Sequence, residues 1–465
     1  MLETLDSLTS EAHRLKAGGR LVEALSIYRH AVQRFPASGV ALHNLAGTLG
    51  DLGEHDEAAQ LATRALRTGL DAPETWLVLA RAELGRGEPE AALRAYREVL
   101  RRRPDSLPAH LEATQLIWMR TSSREEALRG LDEAARRLGA NPGLLMVKAQ
   151  ALESMGDAQA ALDALGSATA APACAPELLA YASHLSAATG DPLGAIRLAE
   201  RSVQAAPGDP GSIEALARAR LAAGDVPGAE ALLQPLSAHR PTNQHLLAMR
   251  AVAWRLSGDP RYRELYDYPG VVQAKPLAVP EGWSDLAGYV ASLAAELKQA
   301  HRFRTHPFGQ SLRQGSQLPD VLRRASPAAA AFAQALSGPL TDYLARIGRG
   351  RGPLAGRNTG RAAIAGSWSV WLRPGGHHVD HVHQEGWISA VCYLELPAVV
   401  AAGGREGWLR FGRPGLVLPQ DLPAEHWVRP EPGLVALFPS YIWHGTEPFS
   451  GNESRLTLAF DLVPA

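Results

Sequence analysis

The chain has 465 residues, enough for two or three domains with full cores. Its 47 basic and 48 acidic side chains leave a formal net charge of −1, which gives no electrostatic footprint for nucleic acid or an anionic membrane. Two lone cysteines, Cys174 and Cys392, exclude a disulfide framework and a cysteine-type zinc site, and suit a reducing cytoplasm.

The N-terminal stretch MLETLDSLTSEAHRLKAGG lacks a basic segment followed by an apolar run, and no apolar run is long enough to span a bilayer. Neither a signal peptide nor a membrane partner is therefore expected. From here to about residue 260 the sequence repeats. Turn glycines recur at Gly19, Gly53 and Gly87, then at Gly156, Gly190, Gly224 and Gly258, with a step of 34 residues inside each set. One more unit fills the gap, with Thr121-Ser122-Ser123 as its turn. Ala24, Ala58, Ala92, Ala161, Ala195 and Ala229 each follow a glycine by five residues, and Pro36, Pro104, Pro207 and Pro241 stand twelve further on. Glycine permits the tight turn, alanine the close approach of two helices, and proline ends the unit. A fixed period of this size predicts a solenoid of about eight helix hairpins, the last of them a cap.

The unit around Trp76, Leu79, Ala80, Ala92, Tyr96, Val99 and Pro104 resembles the tetratricopeptide repeat. The resemblance implies an all-α superhelix over residues 1–260 with a concave groove for a peptide or protein. A scaffold or homodimerisation platform without a ligand is the alternative use.

The pattern breaks at RELYDYPGVVQAKPLAVPEGW, whose prolines and glycines mark a domain boundary at 260/261. Residues 283–300 and 326–347 have helical periodicity, with Ser326 as N-cap and Pro327 as first helical residue of the second. Between them, Gln310, Ser311, Arg313 and Gln317 form a polar cluster that reads either as a surface loop or as a lip of an active site. From Ile364 onward come short alternating segments with Gly/Pro turns: SWSVWL, WISAVCYLEL, GWLRFG, HWVRP, LVALFP and SRLTLAFDLV. Six to eight strands with helices packed on one side fit a cupin-like jelly-roll, a double-stranded β-helix. The whole chain is thus expected to be multidomain α + β, with residues 261–465 as the second domain. Trp368, Trp371, Trp387 and Trp443 read as barrel core, with a substrate platform as the alternative.

A polar knot lies between the first two of these strands: His377, His378, Asp380, His381, His383 and Glu385. Residues two apart on a strand point the same way. Three pairs can therefore chelate a metal together with the distant His444: His378/Asp380, His381/His383 and His383/Glu385. On the last strand, alternation sends Arg455, Thr457 and Ala459 to one face. A guanidinium there can pair bidentately with a buried carboxylate, and Tyr393 or Ser389 can add a hydroxyl.

HPFGQSLRQGSQ, HVHQEGWISAVCYLELP and FPSYIWHGTEPFSGNESRLTLAFDLVP resemble the bacterial and phage family of 2-oxoglutarate and iron(II)-dependent oxygenases, which is often fused to tetratricopeptide repeats. In that superfamily a Tyr-Leu pair tends to follow the second ligand by about ten residues, and Tyr393-Leu394 stands so placed after His383. The resemblance implies His381, His383 and His444 as metal ligands and Arg455 as the residue for the distal carboxylate of 2-oxoglutarate. An all-histidine set departs from the usual two-histidine, one-carboxylate arrangement. The implied cofactors are Fe(2+), 2-oxoglutarate and O2, and the implied activity is hydroxylation of a peptide or protein side chain. The alternatives are an adaptor with a silent metal-binding barrel and a cupin enzyme that does not use 2-oxoglutarate.

Overall fold

A computed structural model of the chain describes residues 4–139, 141–323 and 326–465. Residues 1–118 with 123–151 form one compact unit, and 119–122 with 152–465 form a second. Among the described residues no helix is long and apolar enough to cross a membrane.

Among the described residues fifteen helices run from Leu5 to Ser257, as seven consecutive pairs and a final unpaired helix, Gln244–Ser257. The eighth turn, at Gly258, leads only to the five-residue helix Arg261–Leu265, so the last unit is half a hairpin. The repeat logic holds at each turn. All seven glycines take positive φ, between 71° and 90°. Where glycine is missing, Ser122 adopts φ 57° instead, and Ser123 caps the next helix by accepting from Glu126 N. The six alanines after the glycines have no exposed surface, as helix contact at their Cβ requires.

Among its described residues the second unit carries nine strands. They are β1 (Gln273–Pro276), β2 (Leu312–Pro319), β3 (Ala362–His378), β4 (Ile388–Glu395), β5 (Leu409–Phe411), β6 (His426–Val428), β7 (Leu434–Pro439), β8 (His444–Thr446) and β9 (Arg455–Pro464). They form a six-stranded sheet in the order β1-β7-β4-β9-β3-β2 and a three-stranded sheet in the order β6-β5-β8, with antiparallel pairing throughout. This arrangement is compatible with a jelly-roll. Trp387, Phe411, Phe438, Leu458 and Phe460 lie in one apolar core with residues of the helices Leu286–Ala300 and Phe332–Ile347.

Two expectations need correction. The segment read as a connector at 306–322 contains β2, an eight-residue strand paired along β3. Its polar residues disguised it: Arg313 and Gln317 line a cavity, and Ser316 is buried against His301. The helix expected over 326–347 is broken at Ala331 into Pro327–Ala330 and Phe332–Ile347, although Ser326 caps the first piece as foreseen. Helix pairs run up to Ser257 and strands begin at Gln273, and the second compact unit takes in both the repeats from 152 onward and the sheets. Trp443 Nε1 donates to Ala248 O at 3.2 Å, and Arg255 donates to Gly412 O and Pro423 O, both at 2.8 Å.

Candidate metal centre and cosubstrate pocket

The two sheets leave a cavity of about 580 Å³. Its buried walls include Val370, Leu409 and Phe438 beside Ser389, Thr457 and Arg455, and its more exposed mouth is polar, with Glu153, Ser154, Gln310, Ser311, Arg313 and Gln317. The cluster at 310–317 is therefore a lip of this cavity.

His381 and His444 face each other in an isolated antiparallel bridge, His381 N to His444 O at 2.9 Å and His444 N to His381 O at 3.0 Å. His383 joins them from two residues along. One ring nitrogen of each of the three lies within 4.8 Å of the others. Hydrogen bonds fix which nitrogen that is. His381 Nδ1 lies 2.8 Å from Val379 O, His444 Nδ1 2.9 Å from Ile442 O, and His383 Nδ1 2.7 Å from Asp461 Oδ2. Carbonyl and carboxylate oxygens only accept, so each Nδ1 carries the hydrogen and each Nε2 of a neutral ring carries a lone pair. Burial, reinforced by the neighbouring His383, pushes the His381 imidazole down to about 3. Burial, then His381 and His383, holds His444 well below the usual range. His381 Nε2 and His383 Nε2 stand only 3.2 Å apart. Lone pairs converging in a buried site repel unless a cation lies between them, so the donor set fits a borderline-soft divalent metal such as iron(II).

The other candidate ligands are engaged or remote. Asp380 is held by Arg410 in a buried ion pair. Glu385 sits exposed at the cavity wall, outside the group of converging nitrogens. His378 Nδ1 lies 2.9 Å from Ser311 Oγ, which is also 3.2 Å from His381 Nε2. His377 turns its Nδ1 to Gly375 O.

Arg455 is 1% exposed, and no carboxylate pairs with it among the described residues. Its guanidinium carbon lies 5.4 Å from the centre of the Tyr393 ring, and neither Arg455 Nε nor Tyr393 Oη has a hydrogen-bond partner among the described residues. Burial presses the arginine toward its neutral form, but guanidinium stays charged in proteins. An uncompensated buried cation costs several kcal/mol. The pocket therefore fits an anion, and the fork of Arg455 fits a carboxylate. Thr457, Ala459 and Asp461 line the same cavity, as strand alternation requires.

Ser389 differs from expectation. Its hydroxyl donates to Asp461 Oδ1 at 2.8 Å, not toward Arg455, because the β4–β9 register sets Ser389 opposite Asp461. Asp461 was missed, though carrying the alternation one step past Ala459 finds it. Trp387 and Trp443 are core, whereas Trp368 lies on the cavity wall, its ring 6.2 Å from that of His383. Half-buried Trp371 packs edge-on to His301.

Comparison with known proteins assigns the two parts of the chain. Residues 366–461 match a family model described as "Putative 2OG-Fe(II) oxygenase", and residues 73–116 and 186–253 match two tetratricopeptide-repeat models. The chain thus carries tetratricopeptide repeats together with this oxygenase domain. No curated protein matches it. Similar solved structures include an O-GlcNAc transferase mutant from Thermobaculum terrenum, 22% identical with a TM-score of 0.27. That match covers 29% of this chain and 26% of the other, so the chain spans about a quarter of that protein. A tetratricopeptide repeat protein from Parabacteroides merdae is 18% identical over 50% of this chain and 92% of its own, with a TM-score of 0.36. A MamA protein is 16% identical over 36% and 90%, with a TM-score of 0.30.

Proposed function

We propose that this chain, with an oxygenase domain of the 2OG-Fe(II) family beside tetratricopeptide repeats, is an iron(II)- and 2-oxoglutarate-dependent dioxygenase. Its substrate would be a peptide or protein side chain recruited by residues 1–260, with residues 261–465 performing the chemistry in the cytoplasm. The observation that carries this reading is Arg455, a buried guanidinium without a counter-ion in the same cavity as three converging imidazole nitrogens.

His381, His383 and His444 would hold the metal through Nε2. Iron(II) and 2-oxoglutarate together supply oxidative decarboxylation coupled to insertion of one oxygen atom into a substrate C–H bond. Arg455 binds the distal carboxylate of the cosubstrate bidentately, and Tyr393 Oη, raised by burial and therefore neutral, donates to the same group. Buried Val370, Leu409 and Phe438 line the cavity beside these polar groups and lower the local dielectric, which strengthens the charge interactions inside it. The polar mouth has hydroxyls and amides suited to a polypeptide backbone, and the repeats raise the local concentration of a tethered chain.

The test is direct. Anaerobic protein is loaded with iron(II) and 2-oxoglutarate, oxygen is admitted, and succinate is measured. The proposal expects succinate from the wild type and none from Arg455→Ala or His444→Ala. Metal binding without succinate, even with candidate peptides present, would favour an adaptor or a different cupin chemistry.

A further inference from the structure

We infer that Asp461 is a positioning residue of the metal centre. It fixes His383 and returns to the site, one imidazole away, the negative charge that an all-histidine ligand set omits. This rests on the metal reading above.

Asp380 and Asp461, both largely buried beside the histidine cluster, are used differently. Asp380 is neutralised by Arg410, with Arg413 nearby. Asp461, 7% exposed, has no lysine or arginine partner among the described residues. Its oxygens are committed instead to His383 Nδ1 and to the Ser389 hydroxyl. Having donated its only hydrogen to Asp461, Ser389 Oγ accepts from Ser440 Oγ at 2.9 Å. The Ser440 carbonyl accepts from His383 N at 3.1 Å, which closes the loop. His383 is thus pinned at its ring and at its backbone by one connected set. The chain makes room for that set with Gly386, where a Cβ would stand 2.4 Å from Ser440 Oγ and 3.3 Å from Asp461 Cγ.

The three imidazoles are not equivalent as a result. Neutral carbonyls back His381 and His444, whereas an anion backs His383. A carboxylate accepting Nδ1–H fixes the tautomer and makes Nε2 a stronger donor. His383 is therefore the ligand whose donor strength the protein sets, and Asp461 sets it.

Cobalt(II) titration of the full chain, followed by visible absorption and calorimetry, tests this without turnover. Asp461→Ala is expected to weaken cobalt(II) binding about 10–100-fold. Asp461→Asn keeps an oxygen for Nδ1–H but drops the charge, so its affinity falls between the two, and the ligand-field bands shift in both variants. Affinities within twofold of wild type with unmoved bands would overturn the inference. If the Asp461 variants fail to fold, Ser389→Ala, which leaves the carboxylate but removes its tether, must weaken binding in the same direction, and an unchanged affinity there overturns the inference equally. A wild-type chain that binds no cobalt(II) would overturn the metal centre and this inference with it, whereas equal affinities overturn the inference alone.

Discussion

Arg410 closes on Asp380 as a fork, Nε to Oδ1 and Nη2 to Oδ2, both at 2.8 Å. The pair is buried, and Arg410 Nη1 reaches on to Glu447 at 3.0 Å. This takes the acid of the His-x-Asp sequence out of the ligand set and makes it structural. Asp380→Asn leaves Arg410 buried with Glu447 alone, so urea unfolding should show a loss of about 3 kcal/mol. Cobalt(II) affinity should stay within a few-fold of wild type, while His381→Ala loses it. Equal loss of metal from both variants would make Asp380 a ligand.

Arg455 gives the opposite expectation for stability. A buried cation without a partner strains the fold until an anion arrives. Arg455→Met should therefore be at least as stable as wild type in thermal unfolding without 2-oxoglutarate. With a redox-inert divalent metal already bound to both, adding 2-oxoglutarate at 100 times its wild-type Kd should stabilise the wild type by about 2.7 kcal/mol more and the variant by much less. A variant that is strongly destabilised without ligand would mean that Arg455 serves the core.

Much of this was legible in the sequence, for identifiable reasons. The repeats show because each turn needs a backbone conformation that glycine supplies, and the same need puts Ser122 at φ 57° where glycine is absent. Period-two alternation puts Arg455 on an inward face but leaves three pairs open beside His444; the resemblance to the oxygenase family is what implies His381 and His383, whose ring nitrogens converge with that of His444. The partners of those residues did not show. Asp461 meets Ser389 only through the register of β4 on β9, which no local pattern encodes. The strand β2 was hidden because two of its polar residues, Arg313 and Gln317, face a cavity. Trp368 was misplaced because aromatic alternation reads the same whether the inner face meets core or cavity.

Glu153 at the cavity mouth makes a pH prediction. Burial would raise its pKa, but hydrogen bonds from His184 at 2.6 Å and Tyr181 at 2.5 Å outweigh that and hold it below the usual carboxylate value. With the folded pKa below the unfolded one, the unfolded chain binds the proton more readily on acidification. The stabilisation is thus present above pH 4.5 and lost as pH falls through the folded pKa. Glu153→Gln should cost about 1 kcal/mol at pH 7, a low figure because the carboxylate is partly exposed. In urea unfolding at pH 3 the gap from wild type should narrow. A difference that stays constant from pH 7 to pH 3 would count against an ionised Glu153.

The last prediction sets two tryptophans against each other. Trp387 is fully buried, its indole N–H donates to Leu354 O at 3.0 Å, and its backbone holds both Leu462 O and Ser440 N. Trp387→Ala should cost about 3–5 kcal/mol. Trp368 is half-buried on the cavity wall, so Trp368→Phe should cost less than about 1.5 kcal/mol. The indole's position beside His383 gives it a second, spectroscopic consequence. Cobalt(II) held by that imidazole would lie close enough to quench Trp368 fluorescence, so titration of the wild type should dim the tryptophan emission and the Trp368→Phe chain should lose most of that response. Undiminished quenching in the variant, with wild-type cobalt(II) affinity by calorimetry, would place the bound metal away from His383.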